Sequence, residues 1–455
     1  MTSLRCRAQG LRMATASIAH VVVFGWLGAW LAMWATPSPA AEPVSHTNVV
    51  LIMADDFGYE CVRANGGESY ETPHLDRLAA EGIRFTRCHV QPLCTPTRLE
   101  LMTGLSNVRN YHDFGVLPES QKTFAHLFRA AGYATGICGK WQLGHRPGLP
   151  DHFGFDEALL WQHTRRPPRY ANPGLERNDV EEDYSQGEYG PDLINEFACD
   201  FVARHRSEPF LLYYPMILTH DPFQPTPESK DWDPKAKGEN VHRHQRHFGE
   251  MVAYADAMVG RLLATLEQEG LRDNTLVLFL GDNGTHRSIT SRFQGQDYAG
   301  GKGQTTVRGT HVPLIANWPA VIKEPRVCDD LVSTVDFLPT ITAAASIDSF
   351  DHTDGVSFLP QLRGEQGTPR EWIYSWYSPR IPAKGPRPIS ESIFDGQFKR
   401  YRSGELYDCI ADPDEHAPLD QDRLDAPTKQ AIRQLDATLS AFDNARPKEL
   451  GPQGP

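Results

Sequence analysis

Four short apolar runs organise the hydrophobic pattern of this chain, and each ends in polar or charged residues. The runs occupy residues 48–53, 133–137, 210–217 and 275–280. Their length and continuity predict strands that are buried on both faces of a sheet. Segments with apolar residues at helical spacing alternate with them, at 73–81, 122–131 and 251–269. This alternation predicts an α/β domain with a largely parallel sheet.

The pattern changes after about residue 341 and predicts a second, smaller region. Its predicted elements are short aromatic strands at 372–377, 398–401 and 405–408, a proline-rich loop at 378–388 and an amphipathic helix at 428–442. Such elements are typical of a small α+β domain with an antiparallel sheet. We therefore predict a large domain at 46–345, a C-terminal subdomain at 346–446 and a loose tail at 447–455.

The first 41 residues have the features of a secretory signal peptide. Three arginines precede an apolar run at 18–35, and small residues at positions 38 and 40 allow cleavage after Ala40 or Ala41. The run is near the lower length limit for spanning a bilayer, so an uncleaved anchor is the alternative. We predict a secreted or periplasmic protein without stable membrane insertion.

The net charge of −13 narrows the class of partner. Nucleic-acid binding depends on phosphate neutralisation by lysine and arginine, so we expect no nucleic-acid partner. An anionic substrate would have to be attracted by a local positive pocket and not by the field of the whole protein. Seven of the eight cysteines follow the predicted signal peptide, and this odd number leaves one unpaired. Cys94 is the candidate for that residue.

The segment around Cys94 predicts an anion pocket at the start of a helix. Pro96 fits the first turn of a helix, and residues 98–102 continue it. Free N–H groups and the helix dipole favour negative charge beside Cys94, and Arg98 lies one turn away on the same side. Such a cysteine is either a nucleophilic thiol of low pKa or a buried structural residue.

Acidic and amide side chains follow two of the predicted strands. Asp55 and Asp56 follow the first strand, and Asp282 and Asn283 follow the fourth. Because ligand sites on parallel sheets gather at the carboxyl ends of the strands, we expect these residues to face one crevice. Their oxygen atoms suit Ca²⁺ or Mg²⁺ and not zinc. Each pair alone could instead cap a helix or form a turn.

Two lysines and a histidine occupy polar segments that could face the same crevice. Lys140 and His220 lie at the ends of the second and third predicted strands, and Lys302 lies in a glycine-rich loop. That loop is not a phosphate-binding P-loop, because Gln296 and Gly303 stand where the motif needs glycine and serine or threonine. The alternatives are two solvated lysines and a structural histidine.

Several of these segments resemble the type I sulfatases, which belong to the alkaline phosphatase superfamily. The resemblance lies in Cys94-x-Pro96-x-Arg98, in Thr-Gly at 103–104 and in Gly-Lys-Trp-Gln-Leu-Gly at 139–144, and it extends over most of the chain. It implies an alkaline-phosphatase-like α/β fold with a mostly parallel mixed sheet between helices. It also implies that a maturation enzyme oxidises Cys94 to formylglycine, whose hydrate attacks the sulfur of a sulfate monoester.

The resemblance further implies a role for each candidate residue. Calcium, with magnesium as the alternative, would be held by Asp55, Asp56, Asp282, Asn283 and the modified Cys94. The sulfate oxygens would be held by Arg98, Lys140 and Lys302. His220 would assist departure of the alcohol.

Two departures from the family pattern stand out. Gln142 occupies the position of a family histidine that accepts a proton when sulfate is expelled, and an amide cannot act as a base near neutral pH. His145 is the candidate for a replacement base. Residues 307–311 stand where many members carry an acidic residue and Gly-Gly, next to the loop of Lys302.

The sequence therefore predicts a sulfuric ester hydrolase that acts on a sulfated small molecule or glycan. The alternatives are a phosphonate or phosphate monoester hydrolase of the same superfamily and a weakly active protein that binds sulfated glycans. Residues 161–163 and 180–183 are predicted to line the mouth of the substrate site. The segment 243–247, rich in histidine and arginine, is interpreted as a solvated loop before the next helix, with a metal-binding or polyanion-binding site as the alternative.

Overall fold

The computed structural model describes residues 46–379 and 389–450. The predicted signal peptide, most of the predicted proline-rich loop and the last five residues lie outside this part of the chain. Within the described residues, no helix has both the length and the apolar character that crossing a membrane requires.

The described residues form sixteen strands in three sheets. In chain order the strands are β1 (Asn48–Ala54), β2 (Ile83–His89), β3 (Ala134–Lys140), β4 (Glu157–Trp161), β5 (Gly174–Arg177), β6 (Val180–Asp183), β7 (Phe210–Pro215), β8 (Thr275–Gly281), β9 (Thr290–Phe293), β10 (Gln296–Ala299), β11 (His311–Asn317), β12 (Arg326–Ser333), β13 (Ile373–Tyr377), β14 (Ser390–Phe394), β15 (Phe398–Tyr401) and β16 (Leu406–Asp408). The largest sheet has the order β12-β2-β11-β8-β1-β7-β3-β4-β5-β6. Strands β8, β1, β7, β3 and β4 run parallel, whereas β11 is antiparallel to both β8 and β2.

Helices cover both faces of this sheet. Those of the described residues are α1 (Pro73–Ala80), α2 (Cys94–Thr103), α3 (Asn107–Asn110), α4 (Phe124–Ala130), α5 (Leu149–His152), α6 (Gly190–Arg204), α7 (His247–Gln268), α8 (Val307–Thr310), α9 (Phe337–Ala344), α10 (Leu359–Arg363) and α11 (Ala426–Ser440). Leu51 and Met53 of β1 pack in one apolar cluster with α2, α4 and α9, whereas Val50 and Ile52 pack in another with α1, α6 and α7. Because successive strand residues point to opposite faces, the sheet lies between two helical layers.

The predicted fold class is confirmed, including all four buried strands, which appear as β1, β3, β7 and β8. The prediction missed the other six strands of this sheet, β2, β4, β5, β6, β11 and β12, and the antiparallel pairings of β5 and β11 make the sheet mixed. Strand β2 carries Arg84 and Arg87 and therefore lacks a continuous apolar run. Strand β11 contains Pro313, which lies where its register with β2 shifts between Val312 and Leu314. Proline is tolerated at such an irregularity because it has no N–H to donate to the ladder.

The C-terminal region contains the predicted antiparallel sheet, with the order β13-β14-β15-β16. Helix α11 buries Ile432, Leu435 and Leu439, as its amphipathic pattern predicts. The hydroxyl of Ser375 in β13 donates to Oε1 of Gln91, 2.9 Å away, and so ties this sheet to the segment before α2. The predicted domain limits at 345 and 446 stay predictions.

Two further expectations have clear outcomes. The seven described cysteines form no disulfide with one another, so Cys94 is not distinguished by lacking a partner. In the segment 243–247, residues 243–246 are exposed as predicted. His247 is fully buried and begins α7, so the prediction of a solvated loop is wrong for that residue.

Candidate active site

Four parallel strand ends bring the predicted site residues together. Strands β8, β1, β7 and β3 are consecutive neighbours in the sheet, so the residues at their carboxyl ends lie side by side. The Nζ of Lys140, at the end of β3, donates to Oδ2 of Asp55 at 2.7 Å. The backbone N–H of Asp56 donates to Oδ1 of Asp282 at 2.9 Å. The predicted common crevice is therefore present.

Asp56 connects two further candidates to this cluster. Its backbone adopts a positive φ of 58°, at the turn that follows β1. Its Oδ1 accepts from Nδ2 of Asn283 at 2.9 Å, and its Oδ2 accepts from Nζ of Lys302 at 2.6 Å. A ring nitrogen of His220 lies within 4.8 Å of carboxylate oxygens of Asp55 and Asp56. The loop of Lys302 and the segment after β7 thus meet the same carboxylates.

The acidic side chains of the cluster fit a hard divalent cation. Among the described residues, Oδ1 of Asp55 and Oδ1 of Asn283 are buried without a hydrogen-bond partner. Buried acceptors without partners are unfavourable, and a metal ion would satisfy both. Burial and the neighbouring Asp55 raise the pKa of Asp282 to about 7. A divalent cation would remove this repulsion between carboxylates, so the donor set fits Ca²⁺ or Mg²⁺.

Cys94 is the first residue of α2, in agreement with its predicted position at the start of that helix. Its side chain is 2% exposed, and its Sγ donates to Oε1 of Gln142 at 2.9 Å. Burial raises the pKa of the Cys94 thiol, although Lys140 partly opposes this. This direction is opposite to the shift that a low-pKa thiolate nucleophile would need.

Arg98 fixes the orientation of α2 against the strand ends. The guanidinium is 1% exposed. Its Nη1 donates to the backbone carbonyl of Lys140 at 2.9 Å, and its Nη2 donates to Oδ2 of Asp282 at 3.1 Å. Three carboxylates, from Asp55, Asp56 and Asp282, therefore balance three cations, from Arg98, Lys140 and Lys302.

A cavity of about 290 Å³ opens beside this cluster. Its lining includes Lys140, Gln142 and His220 from the cluster. Trp161 and Gln162 also line it, as predicted, whereas His163 of the predicted segment 161–163 is buried and is not among the lining residues. Residues 180–183 form the edge strand β6 and are not among the lining residues, so their predicted role at the mouth is wrong.

Three arginines that the sequence prediction missed, Arg166, Arg169 and Arg243, complete the lining of the cavity. No acidic residue is among the described residues that line the cavity. The guanidinium of Arg169 lies 3.8 Å from the ring centre of Trp161, and its Nη1 is buried without a hydrogen-bond partner in the described part of the chain. The basic segment 165–169, which closely follows Trp161 in the sequence, could have indicated Arg166 and Arg169 as candidates for the cavity.

The structure gives the contacts of the residues at the two departures from the family pattern. Gln142 has a positive φ of 53° and is 6% exposed, so its amide is held against Cys94. His145 is exposed, and its Nδ1 lies 2.6 Å from the carbonyl of His163. It does not line the cavity. In the segment 307–311, Arg308 pairs with Asp414 and does not contact Lys302.

Comparisons with known proteins identify the family of this chain. The model of the sulfatase family matches residues 47–347, and that of the N-sulphoglucosamine sulphohydrolase C-terminal region matches residues 307–443. Arylsulfatase A of Bos taurus is 32% identical over 443 residues, covering 85% of this chain and 80% of that protein. N-acetylgalactosamine-6-sulfatase of Canis lupus familiaris is 31% identical over 375 residues, covering 74% and 69%. The structure of Ps i-CgsB in complex with k-i-k-neocarrahexaose has a TM-score of 0.74 and 25% identity, covering 89% of this chain and 94% of that one.

The sulfatase family model covers well over half of the chain. The TM-score to that solved structure indicates a similar fold. The chain therefore belongs to the sulfatase family and is a sulfatase.

Proposed function

We propose that the protein hydrolyses a sulfate monoester on a sulfated carbohydrate, with Cys94 converted to formylglycine and with Ca²⁺ as the metal. One observation carries the proposal: Sγ of Cys94 is hydrogen-bonded to Gln142, which lines the open cavity together with Lys140, a member of the balanced group of three carboxylates and three cations. A binding protein would have no need for a buried nucleophile position at that point.

The donor atoms available in the cluster define how the metal would be held. Asp55, Asp56, Asp282 and Asn283 would supply oxygen ligands, together with the modified side chain at position 94. When bound, the cation withdraws charge from the sulfate oxygens, and the formylglycine hydrate provides an oxygen nucleophile. Mg²⁺ is the alternative, and the oxygen donors allow both ions.

The remaining residues would position the sulfate group and move protons. Lys140 and Lys302 would hold its oxygens, and Arg98 would keep α2 in line with the strand ends. The Nδ1 of His220 lies 2.6 Å from the backbone carbonyl of Asp221, which places the proton on Nδ1. A second proton, carried on Nε2, would be donated to the leaving oxygen of the alcohol as its bond to sulfur breaks.

The arginines of the cavity support a carbohydrate that carries more than one anionic group. Arg166, Arg169 and Arg243 line the cavity, where no described residue is acidic, and are left to bind substrate charge. Two of the similar proteins are an N-acetylgalactosamine-6-sulfatase and a protein in complex with k-i-k-neocarrahexaose. The predicted signal peptide supports secretion or export to the periplasm. The maturation enzyme is the protein partner that the chemistry requires.

Hydrolysis of three matched aryl esters tests the proposal. Aryl sulfate, aryl phosphate and aryl phosphonate esters are compared with added Ca²⁺ and after exhaustive chelation, and a panel of sulfated glycans follows. We expect calcium-dependent release of sulfate, faster from glycans with several anionic groups. Cys94→Ala should abolish it, and Cys199→Ala, a matched change remote from the cluster, should not. Faster phosphate or phosphonate release, or activity that survives in Cys94→Ala, would contradict the proposal.

A further inference from the structure

A second group of metal-binding side chains lies outside the site described above. It consists of Asp231, His242 and His247, which come from the long segment between β7 and α7 and from the first residue of α7. The Nδ1 of His242 is 3.1 Å from Nε2 of His247. Oδ2 of Asp231 is 3.4 Å from each of these two nitrogens. Three donor atoms thus form a nearly equilateral triangle.

The dimensions of this triangle match one face of a zinc coordination tetrahedron. With zinc–ligand distances of about 2.0–2.1 Å, neighbouring ligand atoms in a tetrahedron are about 3.3–3.4 Å apart. The three observed separations, 3.1, 3.4 and 3.4 Å, therefore need only small adjustments. Two imidazoles and one carboxylate are also a common ligand set for Zn²⁺ and its neighbours in the first transition row.

A carboxylate hydrogen-bonded to the other ring nitrogen of His247 orients the imidazole for metal binding. The Nδ1 of His247 is 2.6 Å from Oε2 of Glu250, which also accepts from the hydroxyl of Ser229 at 2.5 Å. At a distance of 2.6 Å, the carboxylate of Glu250 accepts the proton of Nδ1. The lone pair of Nε2 is then directed towards His242 and Asp231. Metal-binding histidines typically have such a carboxylate on the other nitrogen.

We propose that Asp231, His242 and His247 bind one transition-metal ion, with Zn²⁺ as the best fit and with water at the fourth position. Arg246 donates to the same oxygen of Asp231 and competes with the cation for its charge. His247 is fully buried, whereas the side chains of His242 and Asp231 are 53% and 34% exposed, so the ion can enter from solvent.

An ion bound by this cluster would restrict a residue that lines the substrate cavity. The segment between β7 and α7 also supplies Gln224 and Arg243, which line the cavity of the active site. His242 is the immediate neighbour of Arg243. A metal bridge from His242 to the rigid start of α7 would restrict the positions that Arg243 can take. This proposal does not depend on the reaction at Cys94.

Metal binding to the full chain, made without a histidine tag, tests the proposal. The protein is saturated with Ca²⁺ and titrated with Zn²⁺ by calorimetry, and with Co²⁺ by visible absorption. We expect one equivalent of Zn²⁺ and the intense Co²⁺ bands of a tetrahedral site. His242→Ala should remove both signals. Glu250→Gln, which touches no metal, should weaken zinc binding by about 10–100-fold. Arg246→Ala should strengthen it.

His244→Ala is the matched control, because His244 lies on the same exposed segment and its Nδ1 accepts from the N–H of Arg246. It should bind zinc as the native protein does. The proposal is wrong if native protein and His242→Ala bind zinc equally, or if His244→Ala loses as much affinity as His242→Ala. Circular dichroism and the melting temperature of the metal-free variants establish that the fold is intact.

Discussion

The active-site helix contains a buried acid whose removal should change how stability depends on pH. Glu100 follows Cys94 on α2 and is 1% exposed. Its Oε1 accepts from Nε2 of Gln91 at 2.8 Å and from the N–H of Asn107 at 3.1 Å. Burial raises the pKa of Glu100 from 4.5 to about 8, although these hydrogen bonds oppose the shift. The folded protein therefore keeps a proton on Glu100 at neutral pH.

The sign and size of the effect follow from this shift. Between pH 4.5 and about 8 the unfolded chain has lost the proton of Glu100 and the folded chain retains it. The free energy of unfolding therefore falls as pH rises, by about 1.4 kcal/mol per pH unit. The stability present below pH 4.5 is lost progressively up to the folded pKa. At pH 7 the loss reaches about 3 kcal/mol.

Glu100→Gln keeps an oxygen acceptor for Gln91 and Asn107 and removes the ionisable group. We expect the variant and the native protein to be about equally stable near pH 4.5, and the variant to be more stable by about 3 kcal/mol at pH 7. Urea unfolding at half-unit steps of pH measures this difference. Glu365→Gln, an exposed change, is the matched control and should follow the native curve. Parallel curves for Glu100→Gln and the native protein would refute the reasoning.

Three further predictions concern the chemistry of the site. Mass spectrometry of the peptide around Cys94 should show formylglycine when a maturation enzyme is present; a fully active protein with an unmodified thiol would contradict the mechanism. Asp55→Ala and Asp282→Ala should each abolish activity and lower calcium affinity while circular dichroism stays native, and activity after chelation and in both variants would refute the metal assignment. Native enzyme should release a burst of alcohol before a slower steady rate, because Gln142 cannot take the proton needed to expel sulfate; Gln142→His should raise the steady rate and shrink the burst in rapid-quench kinetics. No burst in the native enzyme, with Gln142→His no faster, would show that the amide has no such effect.

The sequence was sufficient to predict the strand ends that build the cluster. Parallel strands buried on both faces are recognisable as short apolar runs, and the residue after each run lies at the functional edge of the sheet. The apolar pattern alone therefore places Asp55, Asp282 and His220 together. The resemblance then connects Lys302 to them, although its loop has no strand pattern of its own.

The arginines of the cavity and the zinc cluster could not be predicted in the same way. Arg169 reaches the cavity because its guanidinium stacks on Trp161, a contact that periodicity does not reveal. Asp231 and His247 are brought together by the path of a long loop, and loop paths are not determined by alternation of apolar and polar residues. The high pKa of Glu100 arises from burial among side chains that belong to distant segments.

The burial of Cys94 sets an order of events in the biosynthesis of the enzyme. A side chain that is 2% exposed and lies in the first turn of a helix cannot enter the catalytic centre of another protein. An enzyme that converts Cys94 must therefore act while this segment is still extended, before α2 packs against the sheet. Protein that folds first would keep the thiol permanently, with the same fold and no route to activity. The yield of active enzyme then depends on the rate of modification relative to the rate of folding.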